Sequence, residues 1–544
     1  MKFHHPKIIG SINERMSKMK ILVTEHMAQE GIQYLREKGY KVDNYPDIQR
    51  EQLLDIIHEY EGLIVRSVTK VDEELMDRAL QLKAVGRAGN GVDNIDLKAA
   101  TQKGIIVLNT PESNTVSTAE HTIALLLASS RNIPQADAHI KGGQWNRNLF
   151  RGVELNGKIL GIVGLGRIGS MVATRMQAFG MDIIAYDPYI QDNHFEKLGV
   201  RRVASIEELM GLADFITIHT PKTKETVGII GRKEFEIAKK GVRVVNCARG
   251  GLIDEKALYE AIKAGIVHSC GIDVLVSEPN PISPLLDLEN VIFTPHLGAD
   301  THEAQINVGV TVAKELDHAL RGEIVNTAVN MPAIKQSEYE AVKLYMTLAE
   351  KLGRLYYQLE KEAIEKVSVF FAGDVTKIET ETITLAFLKG LFEPILGEGV
   401  NYVNARYVAK ERSIEIIESI QRDNENYTNL IEVHIATKTK NCIFAGTVLG
   451  KKGIRIVQVN GFECEVEPTA YMLLAENRDQ PGVIGKIGMA LGQGGFNINT
   501  MKVSQNDNFD GAMMFLTVDR KVDAHTLLEI EQINGINKVK FVTL

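Results

Sequence analysis

The sequence predicts an α/β protein made of two doubly wound parallel-sheet units, then an α+β block, then a ferredoxin-like βαββαβ module. Three observations carry that reading. From Lys20 onward, apolar strand-like runs alternate with helical stretches, the signature of a parallel sheet covered on both faces. Within residues 158–187, KILGIVGLGRIGSMVATRMQAFGMDIIAYD, a glycine-rich turn joins a strand-like run to a helical pattern. Beyond residue 332 the alternation stops, and residues 469–544 read strand, helix, strand, strand, helix, strand.

Taken in order, KILVTE, KVDNY, GLIVRSVT, LKAVGRAG and IIVLNT are the strands of the first unit. AQEGIQYLREKG, REQLLDIIHEY, DEELMDRAL and NIDLKAATQKG are the helices around them. A long helical stretch over 117–141 follows, suited to crossing between units or packing on a second copy. The second unit has strands at 159–163 and 182–186, then DFITIHTP, GVRVVNCARGG, HSCGIDVL and NVIFTPHLGA. Its helices include one spaced by Ile168, Val172, Met176 and Phe179, then RVASIEELMGLAD and EKALYEAIKAG. A further helix spans 301–320, with Gly322 just beyond it. In the α+β block a helix spans 338–359, strands fall at 364–371, 430–436, 442–448 and 454–459, and helices at 382–391 and 413–419. Residues 1–18 lack the apolar core of a secretory signal and read as a poorly ordered extension.

A chain of 544 residues suits about three to four domains. The net charge of −8 leaves the whole chain without a basic footprint for nucleic acid or anionic membrane. No apolar run approaches the length of a membrane span. The four cysteines, Cys247, Cys270, Cys442 and Cys464, show no C-x-x-C and no metal-ligand spacing. Reduced thiols, a cytoplasmic location and no bound metal are therefore expected.

Each glycine of Gly164-Leu165-Gly166-Arg167-Ile168-Gly169 has a separate task in a dinucleotide-binding turn. Gly164 makes the tight turn, Gly166 admits a pyrophosphate to the backbone, and Gly169 allows close helix–strand packing. The helix N-terminus then offers free N–H groups to phosphates. Asp187 closes the second strand, where a carboxylate bonds both ribose hydroxyls and repels a 2′-phosphate. The expected cofactor is NAD rather than NADP.

Ligands of open α/β sheets sit beyond the carboxyl ends of strands. Those ends carry Gly164, Asp187, Thr220, Cys247 to Arg249, Asp273 and His296. Removing hydride from a secondary alcohol also requires loss of the hydroxyl proton, which a histidine takes near neutral pH. A carboxylate on the other ring nitrogen fixes the tautomer, and an arginine fork holds a substrate carboxylate. His296 in TPHLGA, Glu278 in DVLVSEP and Arg249 in NCARGG fit these three roles. Each alone is an ordinary loop residue; together on a dinucleotide scaffold they describe a dehydrogenase site.

These motifs, with Arg66 in IVRSVT and GRAGNGVDNID at 86–96, resemble the D-isomer-specific 2-hydroxyacid dehydrogenase family over roughly residues 20–332. The resemblance implies catalysis by Arg249, Glu278 and His296. It implies cofactor contacts at Arg167, Ile168, Asp187, Thr220, Cys247, Arg249, Asp273, His296, Gly298 and Asn90. It implies a discontinuous Rossmann-type architecture: a substrate domain of 19–117 and 301–331 around an NAD domain of 118–300. Residues 332–466 resemble the intervening, allosteric substrate-binding domain of long-form D-3-phosphoglycerate dehydrogenases. Residues 467–544, with AENRDQPGVIGKIGMALGQGGFNINTMKV, resemble an ACT domain.

That order implies oxidation of 3-phosphoglycerate to 3-phosphohydroxypyruvate, the first step of phosphorylated serine synthesis. The substrate's charges would be met by Arg66, Arg87 and Arg249, and by Arg147 or Arg151 beside Trp145 in WNRNLFR. The tail implies L-serine as effector at Asp479, Asn497 and Asn477, and a homodimer or homotetramer. Lys451, Lys452 and Arg455 are a further candidate anion site, or a solvated charged edge. Two other readings use the same residues: a reductase of hydroxypyruvate, glyoxylate or 2-oxoglutarate, and a non-catalytic NAD-sensing corepressor. A short reductase would end near residue 330, so the tail argues against it.

Overall fold

The computed structural model describes residues 18–323, 325–334, 336–360, 362–421, 426–450, 453–506 and 509–544. Residues 1–17 of the extension, and Lys451 and Lys452, lie outside the described residues.

The first unit is a five-stranded parallel sheet of β1 Lys20–Val23, β2 Lys41–Asn44, β3 Gly62–Val65, β4 Ala84–Arg87 and β5 Ile106–Leu108, in the order β2-β1-β3-β4-β5. Helices α1 Gln29–Glu37, α2 Arg50–Ile56, α3 Glu73–Arg78 and α4 Leu97–Gln102 connect the strands. Strands buried on both faces read as apolar runs, as a parallel sheet requires.

The stretch expected as one helix over 117–141 is two, α5 Thr115–Arg131 and α6 Ile133–Lys141. Asn132 between them is left-handed (φ 52), and Pro134, without an N–H, opens the second. Ile123 and Leu126 of α5 join the core of the second sheet.

That sheet has seven parallel strands: β6 Ile159–Val163, β7 Asp182–Tyr186, β8 Arg201–Arg202, β9 Phe215–Ile218, β10 Val242–Asn246, β11 Val267–Ile272 and β12 Val291–Phe293. Their order is β12-β11-β10-β9-β6-β7-β8. The helices are α7 Arg167–Gln177, α8 Asp192–Leu198, α9 Ile206–Leu212, α10 Arg232–Ile237 and α11 Glu255–Lys263. α7 stops before Phe179, which is 46% exposed, so that phenylalanine is not part of the apolar helical face expected of it. β8, α8 and α10 are short elements that the sequence patterns did not mark. α12 His302–Leu320, capped by Thr301, then packs Val308, Val312 and Leu316 against Ile21 and Ile64 of the first sheet.

The α+β block contains α13 Tyr339–Leu359, β13 Ile364–Gly373, α14 Glu381–Leu396, α15 Ala405–Glu411, β14 Glu415–Gln421, β15 Asn429–Thr437, β16 Asn441–Val448, β17 Ile454–Val459 and β18 Phe462–Val466. Residues 413–419, expected as a helix, largely form strand β14. The spacing of Ile416, Ile417 and Ile420 suits either state, but left-handed Ser413 (φ 57) ends α15 and the chain pairs in parallel with β13. The sheet order is β14-β13-β15-β16-β17-β18, antiparallel apart from that pair.

The last module is β19 Tyr471–Asn477, α16 Val483–Gln493, β20 Ile498–Asn506, β21 Phe509–Val518, α17 Ala524–Glu531 and β22 Ile536–Thr543. Its antiparallel order, β20-β21-β19-β22, is the ferredoxin-like arrangement. One sheet face packs under its two helices. The other contributes Met472, Leu474, Phe515 and Val542 to the same core as α13 and the intervening sheet. Gln358 locks the seam by donating to the Thr543 carbonyl and accepting from its N–H, each at 2.9 Å. Among the described residues, no helix is long and apolar enough to cross a membrane.

Candidate active site

The sheet order turns the strand ends into a line. Passing from β12 to β7, the residues just beyond the carboxyl ends are His296, Asp273, Cys247, Thr220, Gly164 and Asp187. Parallel strands make this possible, because every strand delivers its end to the same edge.

At the glycine turn, Gly164 has φ +93, and a Cβ there would lie 2.7 Å from the His219 carbonyl oxygen. A Cβ at Gly169 would lie 2.2 Å from the Gly164 carbonyl oxygen. A Cβ at Gly166 would meet nothing within 4 Å, so the open side of the loop lies there, at the N-terminus of α7. Ile168 follows in the first turn of α7. Asp187 accepts from the Leu165 N–H at 2.9 Å and from the Tyr189 N–H at 3.0 Å, which leaves lone pairs for two hydroxyls. Thr220 Oγ1 and His219 Nδ1 are buried without a partner beside this turn. The loop, the carboxylate and the orphaned polar atoms fit a bound dinucleotide. Arg167 reaches across to Glu112 of the first unit at 3.1 Å.

His296 Nδ1 and Glu278 Oε2 are 2.8 Å apart, and the Leu275 N–H binds Oε1 at 2.8 Å. Partial burial pushes the Glu278 carboxyl up, but the bonds from His296 and Leu275 outweigh it and hold it below the usual carboxylate range. An ionised carboxylate only accepts, so Nδ1 carries hydrogen, and in the neutral ring the lone pair is therefore on Nε2. His296 itself is left-handed, φ 56, a conformation that needs support from its surroundings.

Asp273 supplies that support. Its buried carboxylate accepts from Thr294 Oγ1 at 2.6 Å and from the N–H groups of Leu297 (2.7 Å) and Gly298 (2.9 Å). His121 Nε2 lies 3.1 Å from the same carboxylate and 3.0 Å from Thr294 Oγ1. Since the Thr294 hydroxyl already donates to Asp273, the Nε2 position of His121 holds the proton. Ser117 Oγ donates to the Gly298 carbonyl at 2.8 Å. The α5 residues Ser117 and His121, one turn apart, therefore clamp the loop that carries His296. Burial raises the Asp273 carboxyl, but these bonds dominate and hold it below the usual range. In this structure the Asp273 side chain serves the loop.

His121, Cys247 and Asp273 also place donor atoms within 4.8 Å of one another, a metal-like cluster invisible in the sequence spacing. The Asp273 carboxylate is already filled by protein donors, and burial pushes the Cys247 thiol up, so hydrogen bonding explains the group.

Three arginines converge across the cleft. Arg249 Nε lies 3.3 Å from Asp93 of the first unit, and a Cβ on Gly91 would sit 2.1 Å from its guanidinium, so a glycine there lets the arm through. Arg87, with its Nε buried and unpartnered, is held down at about 10 by burial and then by the charges of Arg249 and Arg66. Arg66 donates to the His26 carbonyl at 3.3 Å, and Glu25 organises its loop by accepting from the N–H groups of Arg66, Val68 and Thr69. Mutually repelling cations of this kind are able to hold a multiply charged anion. Asn90 lies on the loop after β4 that also carries Gly91 and Asp93, its carbonyl held by Asn109 at 2.7 Å.

Other candidates lie apart from this cleft or from one another. Arg147 and Arg151 sit on an exposed excursion with Trp145 (87% exposed) and Leu149 (63%). Asp479 bonds Gln505 at 2.5 Å at the N-terminal end of α16, whereas Asn497 lies beyond the helix's other end, bonded to Asp519 and Asn499. A helix of 11 residues separates them by about 16 Å. One copy cannot place both on a small amino acid. Asn477 is buried, donates to the Arg478 carbonyl and leaves Oδ1 unpaired. Arg455 pairs with Glu467 at 3.6 Å. His121, Ser117, Asp93 and Glu25 were absent from the sequence-based set; only the i, i+4 spacing of Ser117 and His121 hinted at a shared face.

Comparison with known proteins assigns family models to three segments. Residues 123–298 match the NAD binding domain of D-isomer specific 2-hydroxyacid dehydrogenases, 341–460 the D-3-phosphoglycerate dehydrogenase intervening domain, and 471–535 the ACT domain. The chain is 44% identical to a D-3-phosphoglycerate dehydrogenase of Archaeoglobus fulgidus, over 97% of this chain and 100% of that one. It is 41% identical to the Bacillus subtilis enzyme of that name, over 96% and 99%. Among solved structures, a glyoxylate reductase from Paecilomyes thermophila shares 32% identity with a TM-score of 0.54, covering 57% of this chain and 98% of its own. The D-lactate dehydrogenase of Aquifex aeolicus complexed with NAD and lactic acid shares 27% with a TM-score of 0.52, covering 58% and 100%.

Proposed function

The chain belongs to the D-isomer-specific 2-hydroxyacid dehydrogenases in their long D-3-phosphoglycerate dehydrogenase form, and from that premise we propose how its own residues act. The reaction is the NAD-dependent oxidation of 3-phospho-D-glycerate to 3-phosphohydroxypyruvate, the entry to serine synthesis. Bound NAD supplies the hydride acceptor. Arg249 holds the substrate carboxylate from one side of the cleft, and Arg66 and Arg87 draw its phosphate from the other. His296 Nε2 removes the hydroxyl proton as the C–H hydride leaves. Glu278, 2.8 Å from Nδ1, stabilises the imidazolium that forms. The pairing of a left-handed histidine with a depressed carboxylate, opposite three arginines, is the observation that carries this assignment.

The proposal places the substrate domain at 19–117 and 301–331, the NAD domain at 118–300, the intervening domain at 332–466 and the ACT domain at 467–544. Asp187 and the Gly164, Gly166 and Gly169 turn hold the dinucleotide, with Arg167, Ile168, Thr220, Cys247, Gly298 and Asn90 around it. Trp145, Leu149, Ile133 and Ile140 form an exposed apolar excursion that supports pairing of two copies, with Arg147 offered to the second copy's site. The ends of α16 would meet around L-serine only in such an assembly, Asp479 from one copy and Asn497 from another, with Asn477 behind the loop. Four buried, unpaired cysteines suit the reducing cytoplasm.

The test is the appearance of NADH from NAD and 3-phosphoglycerate, with and without L-serine, against hydroxypyruvate, glyoxylate and 2-oxoglutarate in the reverse direction. Turnover of 3-phosphoglycerate is expected. A preference for another 2-oxo acid, or no turnover at all, would overturn the substrate assignment; turnover indifferent to serine would remove only the effector.

A further inference from the structure

A cavity of about 230 Å³ lies in the seam between the intervening domain and the ACT sheet, lined by residues of those two units alone. Its floor continues their shared core. Alternation along a strand puts Met472, Leu474 and Glu476 of β19 on one face, and Lys538, Lys540 and Val542 of β22 beside them. The register sets Leu474 opposite Lys540 and Glu476 opposite Lys538, with Met513 of β21 next to Glu476. At one end of this face, Met472 and Val542 are sealed against the intervening domain. At the other end the face becomes charged, and Glu476, Lys538 and Lys540 line the cavity with Leu359 and Phe462.

The charges there are open. Among the described residues, Glu476, Lys538 and Lys540 make no ion pair within 4 Å, although Glu476 and Lys538 face each other across the strands. Glu360, on the same cavity wall, is by contrast bound to Lys440. Lys538 is exposed and Glu476 and Lys540 are half-buried, so the three charges stand at the open mouth of the cavity, where a ligand's own charges can reach them.

We propose that this cavity binds an α-amino acid with an apolar side chain. Its carboxylate meets the ammonium groups of Lys538 and Lys540, and its ammonium meets Glu476. Its side chain extends the shared core over Leu474, Met513, Phe462 and Leu359. The volume is below the ~300–1,000 Å³ of drug-sized pockets and suits a small metabolite. Leu474, Phe462 and Leu359 are already buried and Met513 is half-buried, so the inner wall is apolar and matches a side chain of leucine or methionine size better than a hydroxymethyl group. The site is separate from the Asp479 loop, but Glu476 stands just before Asn477, and β22 begins just after Gly535, whose carbonyl binds the Arg478 N–H at 2.8 Å. An occupant therefore touches both strands that hold that loop.

The test is calorimetric titration of the full-length protein with L-leucine and L-methionine. Leucinamide, lacking the carboxylate, and 4-methylpentanoate, lacking the ammonium, serve as controls on the unmodified chain. One site per chain is expected, with binding at least about tenfold weaker for both controls and for Lys540→Glu. Met513→Trp, which fills the cavity, should abolish binding, and Asp479→Ala should leave it unchanged. No binding of either amino acid at about 10 mM would overturn the proposal. So would equal affinity for leucinamide, or loss of binding in Asp479→Ala.

Discussion

Replacing Glu278 with glutamine removes one charge and keeps the shape, which isolates what the carboxylate does for His296. The Oε2–Nδ1 separation is 2.8 Å, and the side chains are 37% and 43% exposed. A hydrogen bond to a charged group contributes about 1.5–3 kcal/mol. Exposure above one third screens this pair, so the lower end, about 1.5–2 kcal/mol, applies. That is a loss of roughly 10–30-fold in kcat. The amide can also donate to Nδ1 and force the proton onto Nε2, which removes the base outright and deepens the loss toward about 10⁴-fold. Initial rates of NADH formation measure the first quantity, and fluorescence titration should show NAD affinity within about twofold of wild type. The wild-type carboxyl is raised by burial but lowered further by its bonds, so its folded value is depressed. Its contribution is therefore present above the ordinary glutamate range, about 4.3, and lost only as pH falls through the depressed value. The Glu278 carboxylate stays ionised from about pH 6 to 9, so its own protonation does not offset the deficit of Glu278→Gln anywhere in that range. A kcat within about threefold of wild type across that range would refute the pairing as a catalytic device.

Three further perturbations probe the surrounding structure. Asp187→Ala should relax discrimination against NADP by about tenfold or more, read as the ratio of kcat/KM values; an unchanged ratio would show that another contact sets the preference. His121→Asn should slow turnover about tenfold and speed hydrogen exchange at residues 294–298, since the buried Asp273 would lose a half-buried donor; unchanged exchange there would dissociate α5 from the His296 loop. His219 is held down at about 4 by burial, against about 6.5 when unfolded. The stability it contributes as a neutral group is thus present above pH 6.5 and lost as pH falls toward 4, at most about 3 kcal/mol and less for its residual exposure. His219→Gln should lose fewer degrees of melting temperature over that interval than wild type, and parallel curves would contradict the assignment.

Local patterns were legible wherever short-range physics decides the outcome. The run from Ile159 to Tyr186 forms strand, turn, helix and strand because glycine placement and apolar periodicity suffice there. The line of strand ends followed from parallel alternation, and it delivered Asp187, Thr220, Arg249 and His296 to one edge. Residues 413–419 misled because three isoleucines satisfy two periodicities, and only the partner strand β13 decides between them. Pro134 was a visible breaker, yet the apolar pattern of the long helix runs through it. The clamp of His121 and Ser117 on the 294–298 loop joins residues more than 150 positions apart, for which no local signal exists. The fusion of the ACT sheet with the intervening core is hidden for the same reason. Alternation marks both faces of such a sheet as apolar without saying what covers the second.

The base assignment rests on His296 and is tested most directly by His296→Ala, with kcat and NAD affinity measured on the same preparation. A fall in kcat of about 10²–10⁴-fold with NAD affinity within about threefold of wild type is the predicted result. Turnover near that of wild type, or a loss of turnover matched by an equal loss of NAD binding, would contradict it.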